Sequence, residues 1–165
     1  MGIEIVACKP EHSKAIAEIC AIGWQQTVEG KLSKKYQEIA KKVWYTEERV
    51  RNEINKGIYK YSAIADGKVV GTIGGELNKE RLSWIWVLYI GEAYRYQGIG
   101  KKLLHAYSKD HIEAGATEQW VTVMNENYRG IPYYESNGFI VQERVVKKTE
   151  TDEDEIVWKY KRSLK

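Results

Sequence analysis

The chain has 165 residues with a formal charge of +3, 43% of them hydrophobic and 30% charged. That length suits one domain, 1–165, able to bury about 70% of the surface its unfolded form exposes. No apolar run approaches the roughly 18 residues of a membrane span, and so mild a charge leaves no footprint for nucleic acid, so neither is an expected partner.

The opening MGIEIVACKPEHSK lacks the apolar core of a secretory signal, so the expected location is cytoplasmic. Residues 3–8 alternate like a half-buried strand carrying Cys8. Pro10 suits a first helical turn, and Ile16, Ile19, Cys20 and Trp24 recur at helical spacing up to Gly30. With no second cysteine pair for a zinc site, Cys8 and Cys20 read as reduced thiols. Ser33 and Thr46 read as caps of helices that run to Gly57, with Tyr36, Ile39, Ala40 and Val43 striping the first and Val50 and Ile54 the second.

From residue 58 the period changes to two. IYKYSAIADGKVVGTIGGEL reads as two strands joined at Asp66-Gly67, a pair suited to a tight hairpin, and RLSWIWVLYI as a strand in mid-sheet. YRYQGIGKKLL opens a helix lined by Ile99, Leu103, Leu104 and Tyr107. A strand at 120–124, a short helix within 128–137, a strand from Phe139 and a final strand at 155–160 complete the chain. That final strand reads as an exposed edge on which a homodimer could pair. His12, His105 and His111 read as surface residues, and the acidic run from Glu150 to Glu155 as a solvated turn.

The glycines of residues 94–104 call for an anion. A nucleotide P-loop would need glycine at 95 and Ser or Thr at 102, where Arg95 and Lys102 stand; a dinucleotide fingerprint would need glycine at 103, where Leu103 stands. What remains is Arg-x-x-Gly-x-Gly between a strand and a helix, where Gly98 and Gly100 admit a ligand to the free amides of a first turn and Arg95 and Lys101 add charge.

This pattern, after Leu88-Tyr89-Ile90, resembles the central signature of the GNAT superfamily of acyl-CoA-dependent N-acyltransferases. Asn127, Tyr134, Gly138 and Phe139 resemble its second signature, and the element order follows the family over essentially the whole chain. The resemblance implies a mixed α/β domain: a mostly antiparallel sheet of about seven strands with one splayed parallel pair, 82–90 and 120–124, flanked by four or so helices. It implies acetyl-CoA as cofactor. Amides of Gln97, Gly98, Ile99, Gly100 and Lys101 would hold its diphosphate, with Arg95, Tyr96 and Asn127 beside them and the pantetheine along Leu88, Tyr89 and Ile90.

The implied reaction is direct transfer of acetyl to a primary amine of a small molecule. Tyr134, with Tyr133 as substitute, would protonate the leaving thiolate, and a main-chain N–H near Ile90 would meet the oxyanion. Pro132 points to a late start for the helix that carries both tyrosines. Trp86 stands where many relatives place a glutamate base, which leaves Glu76 as the base by topology. Trp24 and Trp86 would wall the acceptor pocket, which suits a polyamine, an amino acid or an aminoglycoside-like amine. Two alternatives stand beside this: a protein N-terminus or lysine as acceptor, and a sensor that binds coenzyme A without catalysis.

Overall fold

The computed structural model describes residues 2–164. Seven strands form one sheet: β1 (Ile3–Ala7), β2 (Tyr59–Ala65), β3 (Lys68–Leu77), β4 (Leu82–Ile90), β5 (Glu118–Met124), β6 (Ile140–Lys148) and β7 (Asp154–Ser163). Five α-helices flank it: α1 (Ser13–Val28), α2 (Lys34–Ile39), α3 (Glu47–Asn55), α4 (Ile99–Glu113) and α5 (Gly130–Ser136). The strand order is β1-β2-β3-β4-β5-β7-β6, and all neighbours are antiparallel except β4 and β5. No helix among the described residues is long and apolar enough to cross a membrane.

Local chemistry accounts for most boundaries. Ser33 and Thr46 cap α2 and α3 by accepting N–H bonds from Tyr36 and Arg49, both at 3.1 Å. Asp66 and Gly67 both take positive φ, as a tight hairpin between twisted strands requires. One face of the sheet packs on α4 through Ile73, Ile85, Leu103 and Tyr107, and the other packs on α1 and α3 through Cys20, Val50, Ile54 and Val87.

β4 changes faces within its own length. Gly74 pairs with Val87 and Gly75 with Ile85, so Trp86 bulges unpaired from the ladder. Before the bulge Ile85 faces α4; after it Val87 and Tyr89 face α1, and Leu88 and Ile90 face α4. Glycine is required opposite the bulge, because a Cβ on Gly75 would lie 2.0 Å from the Trp84 carbonyl oxygen.

Four expectations are corrected. The strand at 155–160 lies in β7, between β5 and β6, so it offers no edge; the free edges are β1 and β6, and β6 is exposed over almost its whole length. Residues Ala40–Trp44 wind as a π-turn, whose wider winding swings Val43 out to solvent and brings Trp44 edge-on to Tyr36 at 5.6 Å. α5 begins at Gly130, with Pro132 inside its first turn, so the helix does not start late. His111 is buried, and its Nδ1 lies 2.6 Å from Ser83 Oγ. Burial, with Lys60 nearby, lowers its pKa and keeps the ring neutral. Around this pair Gln119 bonds Ser83 and Ser108, and Arg162 bonds Gln119, Ser108 and the Asn137 carbonyl. This satisfied buried network fastens the end where β4 and β5 meet.

Candidate active site

β4 and β5 pair only from Leu82↔Glu118 to Ile85↔Val121. Beyond the Trp86 bulge β4 follows β3 while β5 follows β7, and a fork opens between 86–90 and 122–124. Gly91 N–H donates to Val70 in β3 at 2.8 Å, so by strand alternation the N–H groups of Leu88 and Ile90 turn the other way, into the fork. A cavity of about 800 Å³ fills it.

One end of that cavity is the start of α4. Gly98 is the helix cap, in the left-handed conformation at φ 80°, with no side-chain cap and nothing within 4 Å of where a Cβ would stand. The first-turn donors at Ile99, Gly100 and Lys101 have no partner within the helix, and the helix dipole adds positive potential there. At Gly100 the missing side chain is matched by Tyr133, whose hydroxyl lies 3.1 Å from the would-be Cβ. That hydroxyl is sealed from solvent with no hydrogen-bond partner among the described residues, and burial pushes its pKa up to about 12.

Arg95 lines the cavity, but its guanidinium is committed elsewhere: Nε donates to the Ile90 carbonyl at 3.2 Å and Nη2 to Gln26 Oε1 at 2.8 Å. Gln26 also accepts from Arg129 Nη1 at 3.2 Å and donates to Glu92 at 2.9 Å. One amide of α1 therefore ties the turn before α4 to the turn before α5. Asn127 forms that second turn, its Oδ1 accepting from Gly130 N–H at 2.8 Å. Tyr96 is almost fully exposed at the rim, and Gln97 is exposed beside it.

Tyr134 lines the middle of the cavity from α5, packed edge-on against Phe139 and Tyr133 with centroids 5.3 Å apart. Burial first, and Tyr133 second, hold its hydroxyl well above the usual phenol pKa, so it stays protonated at neutral pH. At the far end stand Trp24, Tyr36, Trp44 and Tyr45, with half-exposed Trp86 near the bulge. Glu76 is exposed on β3 opposite Trp84 and is not part of the cavity lining. Among the described residues the one carboxylate in the lining is Glu155 of β7.

Sequence reasoning missed Gln26, for which no local signal exists, and Glu155. The latter had a signal: in EIVWKY, Glu155 shares the phase of Val157, a core position, so it points inward despite the charges before it.

The acetyltransferase (GNAT) family model matches residues 16–139. A spermidine N(1)-acetyltransferase of Thermoplasma acidophilum is 29% identical over 148 residues, covering 87% of this chain and 91% of that protein. The crystal structure of a PaiA N-acetyltransferase from Thermoplasma acidophilum in complex with coenzyme A superposes with a TM-score of 0.77 at 26% identity, covering 99% of both chains. A GCN5-related N-acetyltransferase from Rhodopseudomonas palustris shares the fold, with a TM-score of 0.79 at 18% identity over 99% of this chain and 96% of that one. With a forked parallel pair, an amide-lined turn at its mouth and a family match over most of its length, the chain belongs to the GNAT family, and is an acetyltransferase whose acyl donor is acetyl-CoA.

Proposed function

We propose that this single-domain enzyme moves an acetyl group from acetyl-CoA to a primary amine of a small molecule, directly, while both are bound. The observation that carries the proposal is the continuity of one cavity from the α4 turn, through the fork, to the aromatic end. A donor entering at one end and an acceptor at the other meet without a covalent relay. Similarity to a spermidine acetyltransferase supports an aliphatic polyamine as acceptor. The thiols of Cys8 and Cys20 fit a reducing, cytoplasmic setting.

The residues present suit the donor. An open left-handed Gly98 and the unpartnered first-turn amides form a cradle for a diphosphate, with Gln97 and Lys101 at its edge and Tyr96 on the rim. The inward N–H groups of Leu88 and Ile90 fit an amide-bearing arm laid along β4, with Tyr89 facing α1 behind them. Arg95 acts through Gln26 to hold the cradle's shape, and Asn127 fixes the start of α5. When bound, acetyl-CoA supplies an activated acetyl thioester whose thiol has an ordinary pKa of about 8.5.

Tyr134 Oη keeps its proton at neutral pH and gives it to the sulfur as the C–S bond breaks, and the proton shed by the newly acylated nitrogen passes through solvent to restore Tyr134. A main-chain N–H at Ile90, preorganised in the fork, faces the negative charge that develops on the carbonyl oxygen. Trp24 and Trp86 wall the acceptor side. Glu76 lies outside the cavity and carries no proton in this scheme.

The test is thiol release from acetyl-CoA over a panel of small amines and peptide amines. Small amines are expected to turn over, and Tyr134→Phe to lower kcat by about a hundredfold or more with coenzyme A affinity nearly unchanged. Release with peptide amines alone, or full activity in Tyr134→Phe, overturns the proposal.

A further inference from the structure

The acceptor end of the cavity holds a charged group that direct acetyl transfer does not use. Glu155 stands near the start of β7, two residues before Val157 and on the same face. Val157 pairs with Met124, and Met124 packs with Tyr36, Trp24 and Trp44. The strand thus delivers a carboxylate beneath a group of aromatic rings that α1, α2 and the π-turn bring together. The side chain is half-buried and has no hydrogen bond and no cation within ion-pairing distance among the described residues. Lys147 faces it across β6 and β7 and lines the same cavity, but it is exposed on an edge strand and its ammonium lies beyond ion-pairing distance of the carboxylate. Glu150 adds further negative charge from the turn, and Tyr36 and Tyr45 face the site with neutral hydroxyls.

Resting on the acetyltransferase reading above, we infer that Glu155, with Tyr36, Trp44 and Tyr45, forms a subsite for a second ammonium group of the acceptor, so that the enzyme selects linear diamines and polyamines over monoamines. A half-buried anion without a partner is unfavourable unless a cation joins it, and aromatic faces favour an organic ammonium. A divalent metal is the wrong occupant: a single carboxylate cannot supply the six or so oxygen ligands such an ion takes, and no cluster of ligating side chains exists among the described residues. The pKa of Glu155 is raised, by burial first and against the opposing pull of Lys147, which agrees with a carboxylate whose lost hydration is not fully replaced. Glu155 here is a specificity residue: it holds the tail of the acceptor while the reacting amine lies toward Tyr134.

The experiment compares 1,4-diaminobutane and spermidine with n-butylamine in the wild type, Glu155→Gln and Glu155→Asp. Loss of a charge-assisted contact is expected to raise KM for the diamine and spermidine about ten- to a hundredfold in Glu155→Gln, with kcat within about twofold. n-Butylamine should keep its KM in all three proteins, and Glu155→Asp should recover part of the diamine affinity. An equal loss on monoamine and diamine marks a structural effect and overturns the inference, as does an unchanged diamine KM. Calorimetric titration of spermidine into the coenzyme A complex separates this inference from the acetyltransferase reading. Spermidine binding weakened about tenfold or more in Glu155→Gln supports the subsite even where no amine is acetylated, and an unchanged affinity overturns it.

Discussion

Replacing Gly98 by alanine and, separately, by asparagine separates the cost of the turn from the ligand it holds. At φ 80° a residue with a Cβ is held in the left-handed region, at a cost of about 1–2 kcal/mol for alanine, and less for asparagine, which visits that region readily. For a chain of this size each kcal/mol moves the melting temperature by about 2–4 °C, so Gly98→Ala should melt about 2–8 °C lower and Gly98→Asn by clearly less. Neither substitution should clash within the protein, because no atom lies within 4 Å of the new Cβ. That same open space is where a diphosphate would approach the α4 amides, so both side chains should obstruct it alike. Losing one or two charge-assisted bonds predicts a rise in the Kd for coenzyme A of about ten- to a hundredfold in both variants. Thermal melts of the free protein and calorimetric titration with coenzyme A measure the two effects apart. A variant that melts lower yet binds coenzyme A as the wild type does would refute the assignment of the cradle.

Two other outcomes follow from the site. Gln26→Ala removes the acceptor shared by Arg95 and Arg129 and should weaken coenzyme A binding about three- to tenfold, measured by calorimetry, with the melting temperature little changed because the residue is only partly buried. The pH profile of kcat/KM should climb from about pH 6 to 9 as the amine, with a reference pKa near 10.4, loses its proton. Because the pKa of Tyr134 is raised, its active protonated form persists at every lower pH, so no falling limb should appear below about pH 10; one near pH 8 would exclude it as the acid.

Much of this architecture was legible in the chain because its signals are local. The caps at Ser33 and Thr46, the Asp66-Gly67 turn, and the glycines between β4 and α4 each act through a few neighbouring residues, and each forms as its residue types dictate. The element order followed from periodicity along the chain, and the parting of β4 from β5 was expected only through the family resemblance that two motifs carried. What stayed hidden depends on phase or on distant partners. SWIWVLY is apolar at almost every position, so its pattern carries no mark of the reversal at Trp86. The place of β7 inside the sheet is a matter of nonlocal pairing, and His111 looks exposed until Ser83 arrives from another strand. Glu155 was masked by acidic neighbours that do face water, although its phase with Val157 was on view.

The seam between β4 and β5 gives the sheet the mechanics of a pair of tongs. Four strands form one arm and three the other, and they share only the short run from residue 82 to 85 on one side and 118 to 121 on the other. Ser83, Gln119, His111 and Arg162 act as the rivet, so a small change of angle at that buried pivot is magnified at the jaws where Leu88 and Ile90 stand. The spread of the jaws is therefore set at the opposite end of the strands, by polar side chains that form no part of the cavity lining.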